Sequence, residues 1–397
     1  MDASSETQPR EDVKSRALTT AILRTGEEMA ALHDAWRDLL DHSCIATPFQ
    51  SGAWLDSWWQ AYSESRGLRL VTVWHHGTLI RLVPLMLERR FGMGILLFVG
   101  TGITDHLDIV VRDGYEERVI QATLDTLLGM TDWQLLDLHQ LRPSASAWAL
   151  ARKWRRPWLA VWEDDFPVIP ALPLDELLNA LSQNHRSTLR RTLRRAESDG
   201  LETRLASAGE SHEAGGRLVA LHREMWKGRP IGPEHLTDRF QKHMVAAAER
   251  LTTAGLGGVS EFRRGEQVIV SSLLLFGRDC VGTCLHGASR DALSQYQVSS
   301  LYISDALKHA SARNVAYVSL LRGTEPYKLR WKPRVIPNRR LILGRNHVTW
   351  MPYASFRFLF SAARHLSHSD DAPRPVKHLA AVYRKLAEAY RNTKRAA

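Results

Sequence analysis

The sequence predicts an α+β fold of two tandem domains, each a mixed, mostly antiparallel sheet flanked by helices. Three observations predict it. At 397 residues, 44% hydrophobic and 24% charged, the chain is long enough for two cores and has the composition of a globular protein. Apolar residues alternate with period two in paired runs. One succession occurs twice: a hairpin, further strands, an amphipathic helix and a closing strand.

The opening "MDASSETQPREDVKSR" carries acids and no apolar core, so it reads as neither a secretory nor a transit peptide. A disordered tail is expected over 1–16. The first domain is expected over 17–165. In it, "LRLVTVWHHGTLIRLVPLMLERR" (68–90) is two alternating runs joined at His76-Gly77, a hairpin pattern. "LLFVGTGITDHLDIVV" (96–111) adds strand, "YEERVIQATLDTLLG" (115–129) has helical spacing, and "WQLLDLHQL" (133–141) closes the unit. The segment "WEDDFPVIPALPLDELL" (162–178) holds three prolines and no period, and reads as a linker.

The second domain is expected over 166–350. It opens with "NHRSTLRRTLRRAESDG" (184–200), where Arg186, Arg190 and Arg194 fall at i, i+4 and i+8 with Arg191 and Arg195 beside them. On a helix that makes one cationic face without acids, suited to an anion. Gly200 ends the helix. The hairpin motif returns in "GGVSEFRRGEQVIVSSLLLFGRDCVGTCLHG" (257–287), turning at Arg264-Gly265, 188 positions after Gly77. The helix "SSLYISDALKHASARN" (299–314) and strand "VAYVSLL" (315–321) complete the repeat. A basic helical extension is expected over 351–397, where Val376, Leu379, Tyr383, Leu386 and Tyr390 mark an amphipathic helix. Docking on the protein itself is its default use; a membrane surface or a partner synthase is the other.

The net charge is +10. Nine cations and no acid lie between Glu325 and Asp370, a one-sided field that favours anionic partners. The most apolar segment, Phe91 to Thr104, is too short and glycine-rich to span a bilayer. Cys44, Cys280 and Cys284 are odd in number and lack metal-site spacing, which fits a reducing, cytoplasmic compartment with inert thiols. The chain has no Walker-type loop, no Gly-x-Ser-x-Gly elbow, no His-Glu-x-x-His motif and no dinucleotide fingerprint.

The block "LLRGTEPYKLRWKP" followed by "NRRLIL", with "HRSTLRRTLRR", "LHREMW" and "TDHLD", resembles the cellulose-biosynthesis (CelD-like) acetyltransferases of the GNAT superfamily, tandem-domain relatives of the Fem aminoacyltransferases. The resemblance covers about residues 45–345. It implies two GNAT-like domains and acetyl transfer from acetyl-CoA to an amine or hydroxyl, in a ternary complex without a metal. The acceptor it implies is a cell-envelope or polysaccharide-related molecule.

Such chemistry needs a phosphate anchor, an oxyanion site and proton traffic. The anchor is expected at the helix start formed by Gln297, Val298, Ser299 and Ser300, with Ser299 or Ser300 as N-cap and Val298-Ser299 where relatives often have Pro-Gly. Arg322, Lys328 and Arg330 are further phosphate or anion ligands. Gly287 is expected to permit a strand bulge that frees an oxyanion donor. Tyr327 stands where the superfamily places the phenol that protonates the leaving thiolate, and His286 is a candidate base. Glu325 either orients the acceptor and takes its proton, or pairs with Arg322 or Lys328. Asp105, His106 and Asp108 line the acceptor side or shape a turn. His222 and Trp226 floor a sugar site or pack a helix, and Trp331, Arg186 and Arg190 complete the expected acceptor set. Two other readings stay open: transfer from aminoacyl-tRNA, the one reading with a nucleic-acid partner, and a non-catalytic scaffold for an envelope polysaccharide system.

Overall fold

His76 (φ 51) and Gly77 (φ 76) both take left-handed backbone, the turn geometry that matches strand twist. They join β2 (Gly67–His75) to β3 (Thr78–Arg90). The computed structural model describes residues 18–90 and 92–367; the expected tail over 1–16 and the amphipathic segment around 376–390 lie outside the described residues.

The first half begins with β1 (Thr19–Leu23), α1 (Gly26–Ala31), α2 (His33–Asp41) and α3 (Gly52–Tyr62). After the hairpin come β4 (Met93–Phe98), the short β5 (Val110–Val111), α4 (Ile120–Gly129), β6 (Leu135–Leu141), α5 (Trp148–Lys153) and β7 (Trp158–Pro170). Trp36, Trp54, Trp58 and Trp133 are each at most 1% exposed and anchor its core. Two helices, α6 (Leu174–Ala180) and α7 (Gln183–Ser198), lead to the second half: β8 (Glu202–Leu205), α8 (Ser211–Trp226), α9 (Asp238–Thr253), β9 (Gly257–Arg264), β10 (Gln267–Phe276) and β11 (Cys280–Ala288). It continues with α10 (Arg290–Gln295), α11 (Val298–Ala312), β12 (Tyr317–Ser319), α12 (Pro326–Leu329), β13 (Arg334–Gly344) and α13 (His347–Ser367).

The strands form one mostly antiparallel sheet in the order β1-β2-β3-β4-β6-β13-β7-β12-β11-β10-β9-β8. The order is a palindrome of roles. β4 and β6 pair in parallel, as do β11 and β12; the other neighbours are antiparallel. The last strand of each half crosses over: β7 adds to β12 of the second half, and β13 adds to β6 of the first. β7 and β13 then pair with each other along ten register positions, so one continuous sheet joins the halves.

Residues 162–170, expected as linker, are therefore the second part of a central strand. Pro167 interrupts the sequence pattern but not the sheet, because its carbonyl is what is used, accepting from Leu320 N at 2.9 Å. The position 165/166, expected between domains, lies inside β7. Buried charge fixes the crossing of β13: Arg340 Nε donates to Asp137 Oδ1 at 2.6 Å, and Tyr353 of α13 donates to Oδ2 at 2.5 Å. Burial opposes ionisation of Asp137, yet Arg340 holds its pKa well below the usual carboxylate range. A one-residue slip would leave this acid buried without its cation.

Candidate active site

Three features open a cleft along β11. First, β11 and β12 pair over just Cys280–Gly282 and Tyr317–Ser319. β11 runs on to Ala288, while the other chain turns away through Leu321 (φ 54) and Gly323 (φ 102). Second, Leu273 pairs with Leu285 but Leu274 with Thr283, so Cys284 is the extra residue of a β-bulge. Cys284 and His286 are half-buried between buried neighbours. Third, α11 starts at the mouth with Gln297 as N-cap and no side chain bonded to its free N–H groups. Such a terminus attracts anions. In the first half, β4 ends one residue after its last pairing with β6 and its ladder with β3 runs without a register shift, so the parallel strands do not splay in the same way.

Two expectations are corrected here. The bulge lies at Cys284, not Gly287. Gly287 serves close approach instead: a Cβ there would stand 2.3 Å from His222 N, so glycine lets α8 lie on β11. The cap of α11 is Gln297 rather than Ser299 or Ser300. Ser300 Oγ donates to Gln297 Oε1 at 2.7 Å, and Ser300 N to Gln297 O at 2.8 Å.

Around the cleft the structure brings together an aromatic and imidazole cluster. His286 stacks on Tyr302 of α11 with centroids 4.3 Å apart, and Tyr327 stands edge-on to both at 6.3 and 6.5 Å. Burial raises the pKa of both phenols, so they are protonated donors at neutral pH. His222 Nδ1 donates to the His286 carbonyl at 2.7 Å, which fixes its tautomer because a carbonyl can only accept. Its Nε2 then accepts from His235 Nδ1 at 3.2 Å, leaving Nε2 of His235 with a free lone pair. Burial lowers His222 and pushes His235 down to about 4 and His286 to about 3. All three are neutral at pH 7, and the Nε2 lone pair of His222 is taken up by His235.

A buried seam of charge runs from this cluster to the first half. Arg322 Nε lies 2.9 Å from Asp105 Oδ1, and its backbone N donates to Oδ2 at 3.4 Å. Burial disfavours the charge of Arg322, but Asp105, Asp164 and Glu163 outweigh it and raise its pKa. Asp164 of β7 accepts from Gln140 at 2.8 Å and Asn338 at 3.2 Å; burial pushes it up to about 6 despite Arg322. Three non-glycine residues with left-handed backbone, His106, Gln140 and Leu321, mark this seam. Held strain of this kind concentrates at working sites.

The other expected residues fall in distinct places. Lys328 is buried and turned inward, with Nζ donating to Arg322 O at 2.7 Å and paired with Glu325 at 2.9 Å. It closes the Arg322–Lys328 loop, and Glu325 is an exposed member of that clasp. Arg330 is exposed. His106 packs its ring 4.4 Å from Phe166. Asp108 caps the turn before α5, accepting from Ser146 N at 2.7 Å and Ala147 N at 3.0 Å. Trp331 is 2% exposed in the second core, beside His185. Trp226 adjoins His222 at 6.3 Å. On α7, Arg186 donates to the carbonyls of Asn179 and Leu181 and Arg195 pairs with Asp199 at 3.5 Å, while Arg190, Arg191 and Arg194 are exposed. The stripe is thus divided. Val298 and Ser300 are buried and Ser299 half-buried.

Sequence reasoning missed Tyr302, His235 and Asp164. Tyr302 follows Val298 by four positions, one helical turn, and that spacing points it along the same face toward the helix start. His235 and Asp164 carried no local signal; they join the cluster through tertiary contacts.

Residues 183–329, from α7 through α12, match the family described as "Acetyltransferase (GNAT) domain". The chain carries a GNAT-type acetyltransferase domain with an acyltransferase fold. Solved structures similar over most of the chain include FemX, with TM-score 0.57 and 10% identity over 84% of this chain and 99% of that one. L-PGS from Bacillus licheniformis aligns at TM-score 0.52 and 12% identity, covering 84% and 97%. A conserved protein of unknown function from Bacteroides thetaiotaomicron aligns at 0.56 and 11%, covering 82% and 100%. At these identities the likeness establishes the fold. A search of curated protein sequences gives no match.

Proposed function

We propose that the protein transfers an acetyl group from acetyl-CoA to an amine or hydroxyl by direct attack in a ternary complex. The observation that carries this reading is the splayed β11–β12 cleft, with Tyr327 and His286 beside it and the uncapped start of α11 at its mouth. Backbone N–H groups at Val298 and Ser299 suit the donor's pyrophosphate. The Tyr327 hydroxyl, kept protonated by burial, donates a hydrogen bond to the sulfur as the C–S bond breaks. A pKa above that of a thiol favours donation over complete transfer, which places its effect near the lower end of general-acid catalysis, about 100-fold. His286, neutral at pH 7 and held near 3 by burial, is too weak a base for full transfer; it accepts a hydrogen bond from the acceptor's attacking group and orients it. Burial raises the Cys284 thiol and pushes Cys280 up to about 12, so neither supplies a thiolate for a covalent route.

The acceptor in this reading is an anionic small molecule or glycan of the cell envelope or of polysaccharide assembly, and the enzyme is of the cellulose-biosynthesis type acting in the cytoplasm. The exposed Arg330 and the +10 net charge support an anionic acceptor. Among the described residues, no helix is long and apolar enough to cross a membrane. The test is thiol release from acetyl-CoA against a panel of amino and hydroxyl sugars, with thermal shift as the binding readout. Tyr327→Phe should lower kcat about 100-fold with KM little changed. Parent-rate turnover in that variant, or no stabilisation by acetyl-CoA, refutes the assignment.

The exposed Arg190, Arg191 and Arg194 face of α7 favours one second reading, transfer from aminoacyl-tRNA. Salt-sensitive tRNA binding in a gel shift, lost when all three become alanine, would support it; absence of binding at low salt removes it.

A further inference from the structure

An arginine buried with guanidinium nitrogens left unpaired costs stability and calls for an explanation. Arg81 on β3 is 1% exposed, and its Nε and Nη1 have no hydrogen-bond partner. Asp108 acts on it through space, but the Asp108 oxygens accept from the backbone N–H groups of Ile109, Ser146 and Ala147. Desolvation lowers the Arg81 pKa to about 10, so the guanidinium is still charged at pH 7. Arg81 lines a cavity of about 590 Å³, a volume suited to a small organic ligand. Trp148 and Trp158 supply apolar wall, and the exposed Arg152 and Arg339 stand at its edge with Glu116 as the acid in the lining.

We propose that this cavity is a second ligand site, which takes a small amphiphilic acid with its carboxylate or phosphate on Arg81 and its hydrocarbon or aromatic body against Trp148 and Trp158. The lining shares no residue with the transfer cleft. The duplication gives the site a structural precedent. Glu116 precedes α4 and the 143–146 loop follows β6, the chain positions that Gln297 before α11 and the Tyr327 loop after β12 hold in the second half. The unpaired Nε and Nη1 are closed to water in the unliganded fold, so an acid meets the guanidinium where Arg81 lines the cavity, and the surrounding apolar wall strengthens that charge-assisted bond.

The test is calorimetric titration of the full chain with octyl phosphate, octanoate and octanol. Saturable binding of either acid with none of octanol is expected, and which acid binds tells phosphate from carboxylate recognition. Arg81→Leu should weaken that binding about tenfold or more while melting at or above the parent temperature, because it removes an unpaired buried charge. Should Arg81→Leu unfold, Trp148→Ala carries the test and must weaken the same binding. Added coenzyme A should leave the octyl-acid titration unchanged. Binding that survives Arg81→Leu, displacement by coenzyme A, or no binding of either acid overturns the proposal. None of these outcomes depends on acetyl transfer at Tyr327.

Discussion

Replacing Gly287 by alanine puts a methyl where α8 already lies. The ideal Cβ stands 2.3 Å from His222 N, 2.6 Å from Leu221 C and 2.8 Å from His222 Cα. Ordinary contact begins at 3.4 Å, so strand and helix must part by 3.4 − 2.3 = 1.1 Å. No rotamer can relieve this, since the obstructing atoms are helix backbone. Overpacking costs about 1–3 kcal/mol, and a backbone collision belongs at the top of that range, about 3. For a cooperative chain of 397 residues that lowers Tm by about 4 °C. The same movement breaks the 2.7 Å bond from His222 to the His286 carbonyl.

Gly216 on the same helix supplies the control. It is exposed with no atom within 4 Å of a new Cβ, so Gly216→Ala should gain about 0.5–1 kcal/mol of helix propensity. Differential scanning calorimetry of the two variants should therefore show shifts of opposite sign. If Gly287→Ala melts with the parent, α8 does not rest on β11 as described, and the histidine cluster built on that contact falls with it.

Two further predictions concern the whole chain. Burial pushes His243 down to about 3, whereas an unfolded imidazole binds its proton near 6.5. Its contribution to stability is therefore full above pH 6.5 and is lost as pH falls from there toward 3, by about 1.4 kcal/mol per pH unit; His243→Gln should flatten the fall in Tm between pH 7 and pH 5, and an unchanged slope would contradict the burial. Dividing the chain at 165/166 should leave both pieces without a cooperative melt, because 17–165 lacks β13 and 166–350 lacks most of β7; co-expression should restore the transition, and a cooperative melt from either piece alone would refute the strand exchange.

The hairpins were legible because glycine turns act locally: His76-Gly77 is the first turn as expected, while the second is Gly265-Glu266, one residue later than expected, with Arg264 ending β9 opposite Gln267. The two-half plan was legible because alternation and helical spacing recur in one order. β7 was not, since prolines read as breaks unless one knows which backbone groups the neighbouring strand uses. Lys328 shows the same limit for chemistry. Its sequence context suggested a phosphate ligand, but a positive φ at Leu321 and Gly323 curls the chain so that carbonyls face the ammonium. Tyr302 and His235 act through partners on other elements, and sequence spacing carries no record of such pairings.

The exchange of β7 and β13 changes what the first half does. If the halves were beads on a linker, the acceptor side of the cleft could drift relative to Tyr327. Instead β13 follows the Tyr327 loop directly and is clamped into the first half by Arg340 and Asp137, while Arg322 at the loop's start reaches Asp105 of the first half. The loop bearing Tyr327 is thus tied to the first half at both ends. Charge alone would not justify burying these pairs, since a hydrophobic replacement is often as stable. What they supply is register: with both ends fixed, the phenol holds one position over β11, which is what a group acting in a short-lived transition state requires.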